Sequence, residues 1–200
     1  MNKLDHIFAK DPAQFSRSYL EYVCEVLRAI DVDEIAAFVH TLLEARARGA
    51  AIYFIGNGGS AATAAHFVND LAVGTNCARP FRAFSLCDNQ AVITAIANDF
   101  GFEHVFSRQL QVLARPGDVL IAISASGNSP NLLRAVEYAR RSGIRTVGIT
   151  AFDGGQLRKL ADQSVHVPTG PKEYGPAEDA HMVLDHLLGS YLMRFTRSEE

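Results

Sequence analysis

Cysteine is scarce in this sequence and is not spaced for a disulfide framework or a thiolate metal site. The three cysteines are Cys24, Cys77 and Cys87, and no CxxC pair is present. An odd number without such spacing favours reduced thiols buried in the interior. This scarcity argues against zinc held by thiolates.

The sequence also lacks an apolar run long enough to span a bilayer and a secretory signal at its start. We therefore expect a cytoplasmic protein. Positive charge is not in excess, since the formal net charge is -3. That balance argues against a membrane or nucleic acid as a partner, whereas a small phosphorylated molecule needs only local positive potential.

What the sequence does contain is typical of a globular protein, with 48% hydrophobic and 20% charged residues. The length of 200 residues fits a single domain over residues 1–200. Apolar positions at helical spacing predict two helices within residues 1–50, divided near Asp31 to Asp33. Their apolar faces pack either within one subunit or against a partner subunit, and periodicity does not decide between the two.

Residues 51–200 alternate between strands and helices. Short apolar runs predict five strands, and the segments between them, together with the segment from Ala177 to Phe195, predict helices. Such alternation is typical of an α/β fold with a doubly wound, mainly parallel sheet flanked by helices. The predicted strands are 52–55, 81–86, 119–124, 146–150 and 164–167.

Two small-residue loops follow predicted strands, GNGGS at 56–60 and SASGNS at 124–129. Glycines, serine hydroxyls and the N–H groups of a helix N-terminus suit a phosphate, and both loops fall at the strand ends where such sheets bind ligands. The first loop also fits the dinucleotide pattern G-x-G-x-x-A. A dinucleotide site would leave the second, serine-rich loop unexplained. Either loop alone could be an ordinary turn.

Ionisable residues supply a second pattern. His66 and Asp70 lie four apart and so share one face of a helix that is otherwise rich in alanine. The last predicted helix adds five candidates, and spacing does not decide whether His181 or His186 faces the site. Carboxylates and histidines from two helices can bind zinc or another divalent ion, or transfer protons without a metal. The five candidates are Glu178, Asp179, His181, Asp185 and His186.

With these residues assembled, the sequence resembles the sugar isomerase (SIS) domain family, and within it the phosphoheptose isomerases that act on sedoheptulose 7-phosphate. The similarity covers nearly the whole chain. It is carried by GNGGSAATAAHF, AIANDFGFEHVFSRQ, GDVLIAISASGNSPN, the turn at Asp153, Gly154 and Gly155, and EDAHMVLDH.

The resemblance implies a flavodoxin-like SIS fold, a homotetramer with active sites between subunits, and zinc as the cofactor, one divalent ion per site. The metal ligands would be His66, Asp70, Glu178 and His186. Asp70 or Glu178 would be the catalytic base and His186 the acid. The serines would hold the phosphate, with Asn57 and Asp99 near the sugar. The full set of implied substrate contacts is Asn57, Gly58, Gly59, Ser60, Asp99, Ser124, Ala125, Ser126 and Ser129.

Some positions depart from the family pattern. Asp70 stands where the isomerases carry Glu, Glu178 stands in place of Gln, and Gly74 stands in place of Arg. The function implied is isomerisation of sedoheptulose 7-phosphate to D-glycero-D-manno-heptose 7-phosphate through a cis-enediol(ate). The alternative is a non-catalytic sugar-phosphate-binding regulator or interaction protein, like the branch that associates with a replication initiator.

Overall fold

A computed structural model describes residues 2–198 and begins with three helices: α1 (Lys3–Ile7), α2 (Pro12–Arg28) and α3 (Val32–Arg48). The two longer ones confirm the predicted helices and their division. The side chain of Asp31 caps the first turn of α3 by accepting a hydrogen bond from the Asp33 N–H. Helix α1 was not expected, and a capping box between Asn2 and Asp5 stabilises it.

The five strands form one parallel sheet in the order β2-β1-β3-β4-β5, the doubly wound order typical of flavodoxin-like folds. The predicted fold class and strand number are confirmed. Residues of β3 pair with both neighbours, so that Ile121 lies between Phe54 and Val147. The strands are β1 (Ala51–Gly56), β2 (Arg82–Ser85), β3 (Val119–Ser124), β4 (Arg145–Ala151) and β5 (Gln163–Val167).

Helices connect and flank these strands, and no helix within residues 2–198 has both the length and the apolar character needed to cross a membrane. Helix α5 continues through Asn98 and Asp99, where an interruption was expected, and the break comes instead at Gly101, whose φ of 96° no helix allows. A short 3₁₀ turn, Phe102–His104, follows. The helices are α4 (Gly59–Asn69), α5 (Gln90–Phe100), α6 (Val105–Leu113), α7 (Pro130–Arg141), α8 (Gly155–Leu160) and α9 (Tyr174–Arg197).

The sheet separates two hydrophobic cores because successive strand residues point to opposite faces. Ile52 and Phe54 of β1 belong to the core that α3, α4 and α9 cover. Tyr53 and Ile55 belong to the core covered mainly by α6 and α7. The packing of α4 against α9 on one face of the sheet brings ionisable residues of the two helices together.

The cysteines differ from expectation in their burial. Cys24 is exposed, and Cys77 and Cys87 are only half-buried. The prediction of buried thiols was therefore wrong. Cys24 lies on the outer side of α2, whereas the Cys87 thiol lies 3.5 Å from the Gly56 carbonyl oxygen.

Candidate functional site

The first loop depends on glycines to turn the chain from β1 into α4. A Cβ on Gly56 would collide with the backbone of Ser60, so only glycine lets the helix begin so close to the strand. Gly58 has a φ of 54° and, as the N-cap of α4, offers no side-chain acceptor to the first helical N–H groups. N–H groups at such a helix start, at the carboxyl edge of the sheet, can serve as a cradle for an anion.

The second loop joins β3 to α7 and packs on the turn at Asp153, Gly154 and Gly155. Gly127 has a φ of 62°, and a Cβ there would collide with the Gly154 carbonyl. The Gly127 carbonyl accepts a hydrogen bond from the Leu157 N–H at 2.9 Å. Ser124 Oγ accepts one from the Gly127 N–H at 3.1 Å. The loop is thus held by its neighbours in one shape.

A reciprocal pair of amides links the two loops. Asn57 Nδ2 donates to Asn131 Oδ1 at 3.0 Å, and Asn131 Nδ2 donates to Asn57 Oδ1 at 2.8 Å. Asn131 is 2% exposed at the start of α7, so a single replacement would leave a buried amide without its partner. The two halves of the cradle are therefore fixed relative to each other.

A cleft of about 440 Å³ opens beside the amide pair. It offers hydroxyl and amide groups together with one cation, Arg134, on the first turns of α7. Sequence reasoning missed Arg134. The signal for it is its position five residues after Ser129, which places it just over one helical turn from the loop. The lining residues are Asn57, Phe102, Glu103, Ser129, Pro130, Asn131 and Arg134.

Four ionisable side chains converge where α4 ends against α9: His66, Asp70, Asp185 and His186. One ligand atom from each lies within 4.8 Å of all the others. His66 Nε2 lies 3.2 Å from His186 Nε2, 3.7 Å from Asp70 Oδ1 and 3.8 Å from Asp185 Oδ2. A group of two histidines and two carboxylates of this size can hold a divalent ion or relay protons.

Asp70 reaches this group through a change in helix type that the sequence reasoning missed. A π-helical turn, Asp70–Gly74, follows α4, and the Thr75 N–H bonds to the Asp70 carbonyl five residues back. A Cβ on Gly189 of α9 would lie 3.3 Å from Asp70 Oδ2. The wide turn and the glycine together let the Asp70 carboxylate fit between the two helices.

Asp185 is the most unusual member of the group. It is fully buried, and neither carboxylate oxygen has a hydrogen-bond partner among residues 2–198. Burial, followed by the negative charge of Asp70, raises the pKa of Asp185 to about 7. Sequence reasoning counted Asp185 among the candidates of the last helix but did not select it.

The structure places Glu178 elsewhere. Its carboxylate packs on Gly59, where an added Cβ would collide with it, and it is not one of the four converging residues found among residues 2–198. The resemblance implied that Glu178 would be one of the metal ligands. Glu178 instead faces the GNGGS turn, nearly two helical turns before Asp185 on α9.

The other candidates of α9 have separate roles. His181 is fully buried with its Nε2 at 3.5 Å from the Thr150 carbonyl oxygen, and burial lowers its pKa to about 4. Asp179 accepts a hydrogen bond from the Tyr19 hydroxyl at 2.5 Å. Only Asp185 and His186 of the five candidates therefore meet His66 and Asp70.

The expected substrate contacts are distributed unevenly. Ser60, Ser124 and Ala125 are buried at the strand ends, and Ser126 and Ser129 are half-buried beside them. Asp99 is exposed near the end of α5, where its carboxylate accepts a hydrogen bond from the Asn98 side chain at 2.8 Å. It does not line the 440 Å³ cleft.

Comparison with known proteins agrees with this arrangement. The SIS domain family matches residues 18–151. The phosphoheptose isomerase of Trichlorobacter lovleyi is 39% identical over 155 residues, which cover 77% of this chain and 78% of that protein.

Two solved structures are similar over almost their full length. The phosphoheptose isomerase of Neisseria gonorrhoeae has a TM-score of 0.80 and 29% identity, covering 88% of this chain and 96% of that one. The enzyme from Francisella tularensis has a TM-score of 0.79 and 26% identity, covering 97% and 100%. The resemblance inferred from the motifs is thereby confirmed, and the chain belongs to the SIS domain family, in the branch of the phosphoheptose isomerases.

Proposed function

We propose that this protein interconverts sedoheptulose 7-phosphate and D-glycero-D-manno-heptose 7-phosphate. Its relatives are named phosphoheptose isomerases, and both halves of the required site lie on α4. The observation that carries the proposal is that the phosphate-type loop begins this helix, whereas His66 and Asp70 lie at its end.

The length of α4 suits an extended sugar phosphate. Ser60 and His66 are six residues apart, so the helical rise places about 9 Å between them along the axis. A phosphate held at the GNGGS turn would therefore place a carbonyl several carbon atoms away beside the ionisable group. A seven-carbon chain with its phosphate on C7 and its reacting atoms at C1 and C2 spans such a distance.

The phosphate would be bound by the first N–H groups of α4 and by serine hydroxyls of both loops. Ser60 and Ser124 are buried, Ser126 is half-buried, and Ser129 lines the cleft. Neutral N–H and O–H groups can bind a phosphate dianion by donating hydrogen bonds to it. No charged side chain then has to be buried next to the phosphate. Arg134 adds a positive charge at the rim of the cleft.

The chemistry requires movement of two protons. A carboxylate, Asp70 or Glu178, takes a proton from C1 of the ketose, and O2 receives a proton from His186, which gives the cis-enediol. The carboxylic acid returns its proton to C2, and the C1 hydroxyl returns a proton to His186 as the aldehyde forms. Every proton removed is replaced, so the enzyme ends the cycle unchanged.

The group at the end of α4 has the composition of a divalent-ion site, because a buried carboxylate without hydrogen bonds faces two histidines and a second carboxylate. His66, Asp70 and His186 would hold the ion, and zinc is the ion that we propose. When bound, the ion would polarise the carbonyl and hydroxyl oxygens of the sugar.

We further propose that the protein is cytoplasmic, and we infer a homotetramer from the apolar surface that the chain leaves open. No residue of α5 is buried, although its sequence is largely apolar. Val112 of α6 is 73% exposed and, with Phe84 and Val92, lines an open groove beside α5. Contiguous apolar surface of this kind marks interfaces between subunits.

Incubation with sedoheptulose 7-phosphate, with and without added Zn²⁺, tests the proposal. Proton NMR should show the aldose phosphate forming, and in ²H₂O the product should carry deuterium at C2. Binding of the sugar phosphate by calorimetry without any turnover in either condition would instead support the non-catalytic alternative. Size-exclusion chromatography with light scattering tests the tetramer.

A further inference from the structure

Asp185 is the buried member of the group of four ionisable side chains. Both of its oxygens are buried and have no hydrogen-bond partner among residues 2–198. An isolated buried carboxylate is costly unless it is paired or coordinates a metal. His66 Nε2 lies 3.8 Å from Asp185 Oδ2. This distance allows an ion pair when His66 is protonated but is too long for a hydrogen bond.

The spacing of the four side chains fits one ion. Ligand atoms about 2.1 Å from a tetrahedral zinc lie roughly 3.4 Å from one another. The distances from His66 Nε2 to His186, Asp70 and Asp185 are 3.2, 3.7 and 3.8 Å. Small side-chain adjustments would bring all four atoms to coordination distance.

Glu178 has a different environment. Its carboxylate lies on Gly59, at the start of α4 and next to the phosphate-type loop. It is half-buried and forms no hydrogen bond or ion pair with any residue of the described part of the chain. The Glu178 carboxylate therefore lies at the start of α4 and not with the four converging side chains.

We propose that Asp185 is the fourth ligand of the metal centre and that Glu178 is not a ligand. Histidines bind a metal in their neutral form, so the carboxylates of Asp70 and Asp185 balance the two charges of the ion. Glu178 keeps an uncoordinated carboxylate at the start of α4. The assignment rests on the proposed metal site and not on the proposed isomerase activity.

Zinc affinity separates the two carboxylates. Isothermal titration calorimetry with Zn²⁺ on the metal-stripped protein should show affinity at least about tenfold weaker in Asp185→Asn, since even residues that only support metal ligands contribute 10- to 100-fold. Glu178→Ala, which removes every possible ligand atom from this side chain, should bind Zn²⁺ as the wild type does. Asp179→Asn is the matched control, because Asp179 lies on the same helix and bonds to Tyr19.

Co²⁺ provides a second measurement. Its visible absorption bands report the ligand set, so they should change in Asp185→Asn and stay unchanged in Glu178→Ala. Thermal melts monitored by circular dichroism show whether each variant is folded. If Asp185→Asn fails to fold, Asp185→Glu takes its place, because a longer carboxylate in the ligand set would shift the Co²⁺ bands.

Loss of Zn²⁺ or a changed Co²⁺ spectrum in Glu178→Ala would overturn the ligand assignment, as would unchanged Zn²⁺ affinity in a folded Asp185→Asn. Absence of Zn²⁺ binding in the wild type would overturn it too. If zinc binds as described but the wild type isomerises no sugar phosphate, the ligand set stands and the proposed function fails.

Discussion

The two ends of α4 are built by different means. At its start, the backbone sets the geometry: glycines turn the chain and place the first helical N–H groups beside serine hydroxyls, where an anion could bind. At its end, four side chains from α4, the π-helical turn and α9 form the group. The first end is fixed by the chain's local conformation, whereas the second requires two helices distant in sequence to pack in one register. Substitutions at the start of α4 should therefore act by changing the backbone conformation. Substitutions at its end should act by removing groups that take part in the reaction.

The largest expected effect tests the chemical end. His186→Ala should lower turnover by about 10² to 10⁴-fold, because a positioned acid contributes that much to proton transfer. His186 is exposed, so the melting temperature should stay close to that of the wild type. Steady-state kinetics with sedoheptulose 7-phosphate and a thermal melt measure both. Wild-type turnover in this variant would show that His186 takes no part in the reaction, and the proposed chemical role of this end of α4 would be wrong.

His181, one and a half turns earlier on α9, should affect stability and not chemistry. Its pKa is lowered by burial from 6.5 to about 4, so the unfolded chain takes up its proton first. Stability from neutral His181 is therefore complete above pH 6.5 and is lost as the pH falls toward 4, by roughly 3 kcal/mol. Denaturant unfolding at several pH values should show this loss in the wild type.

His181→Leu supplies the control for that measurement. Between pH 6.5 and 4, the unfolding free energy of this variant should fall less than that of the wild type, because the variant has no histidine at position 181 to protonate. This difference is expected whatever the stability of the variant at neutral pH. Equal pH dependence in the two proteins would mean that His181 is accessible to protons in the folded state.

Gly127→Ala tests the backbone end. The added Cβ would collide with the Gly154 carbonyl, and the φ of 62° is unfavourable for alanine. We expect a loss of at least about 1 kcal/mol of stability from the left-handed conformation alone, and weaker binding of inorganic phosphate as the loop moves. Gly117→Ala is a suitable control, because Gly117 has a φ of 91° but open space around its Cβ position.

Gly189→Ala should have the smallest effect on turnover of these variants. It should also change activity without lowering stability. Alanine in a helix is favoured over glycine by up to about 1 kcal/mol, but its Cβ would lie 3.3 Å from Asp70 Oδ2. The melting temperature should hold or rise while turnover falls about tenfold. A fall in both would indicate that α9 itself is displaced.

The sequence predicts the fold and the loop end of the site well, for physical reasons. Strand runs such as Val119 to Ser124 and the glycine loops are local patterns, and they lie where predicted. The ionisable group depends on how α9 lies against α4, which no local pattern records. Spacing within one helix could not show that Asp185 faces His66, or that a π-helical turn redirects Asp70. Asp99 likewise lies on a helix whose extent through Phe100 was not foreseen.

The reciprocal amides of Asn57 and Asn131 also bear on how this site can evolve. Each amide donates one hydrogen bond to the other and accepts one from it, so a change at one position alone leaves a donor and an acceptor without partners. A matched change at both positions restores the balance. We therefore expect these two positions, 74 residues apart in the chain, to change together or not at all among descendants of this protein.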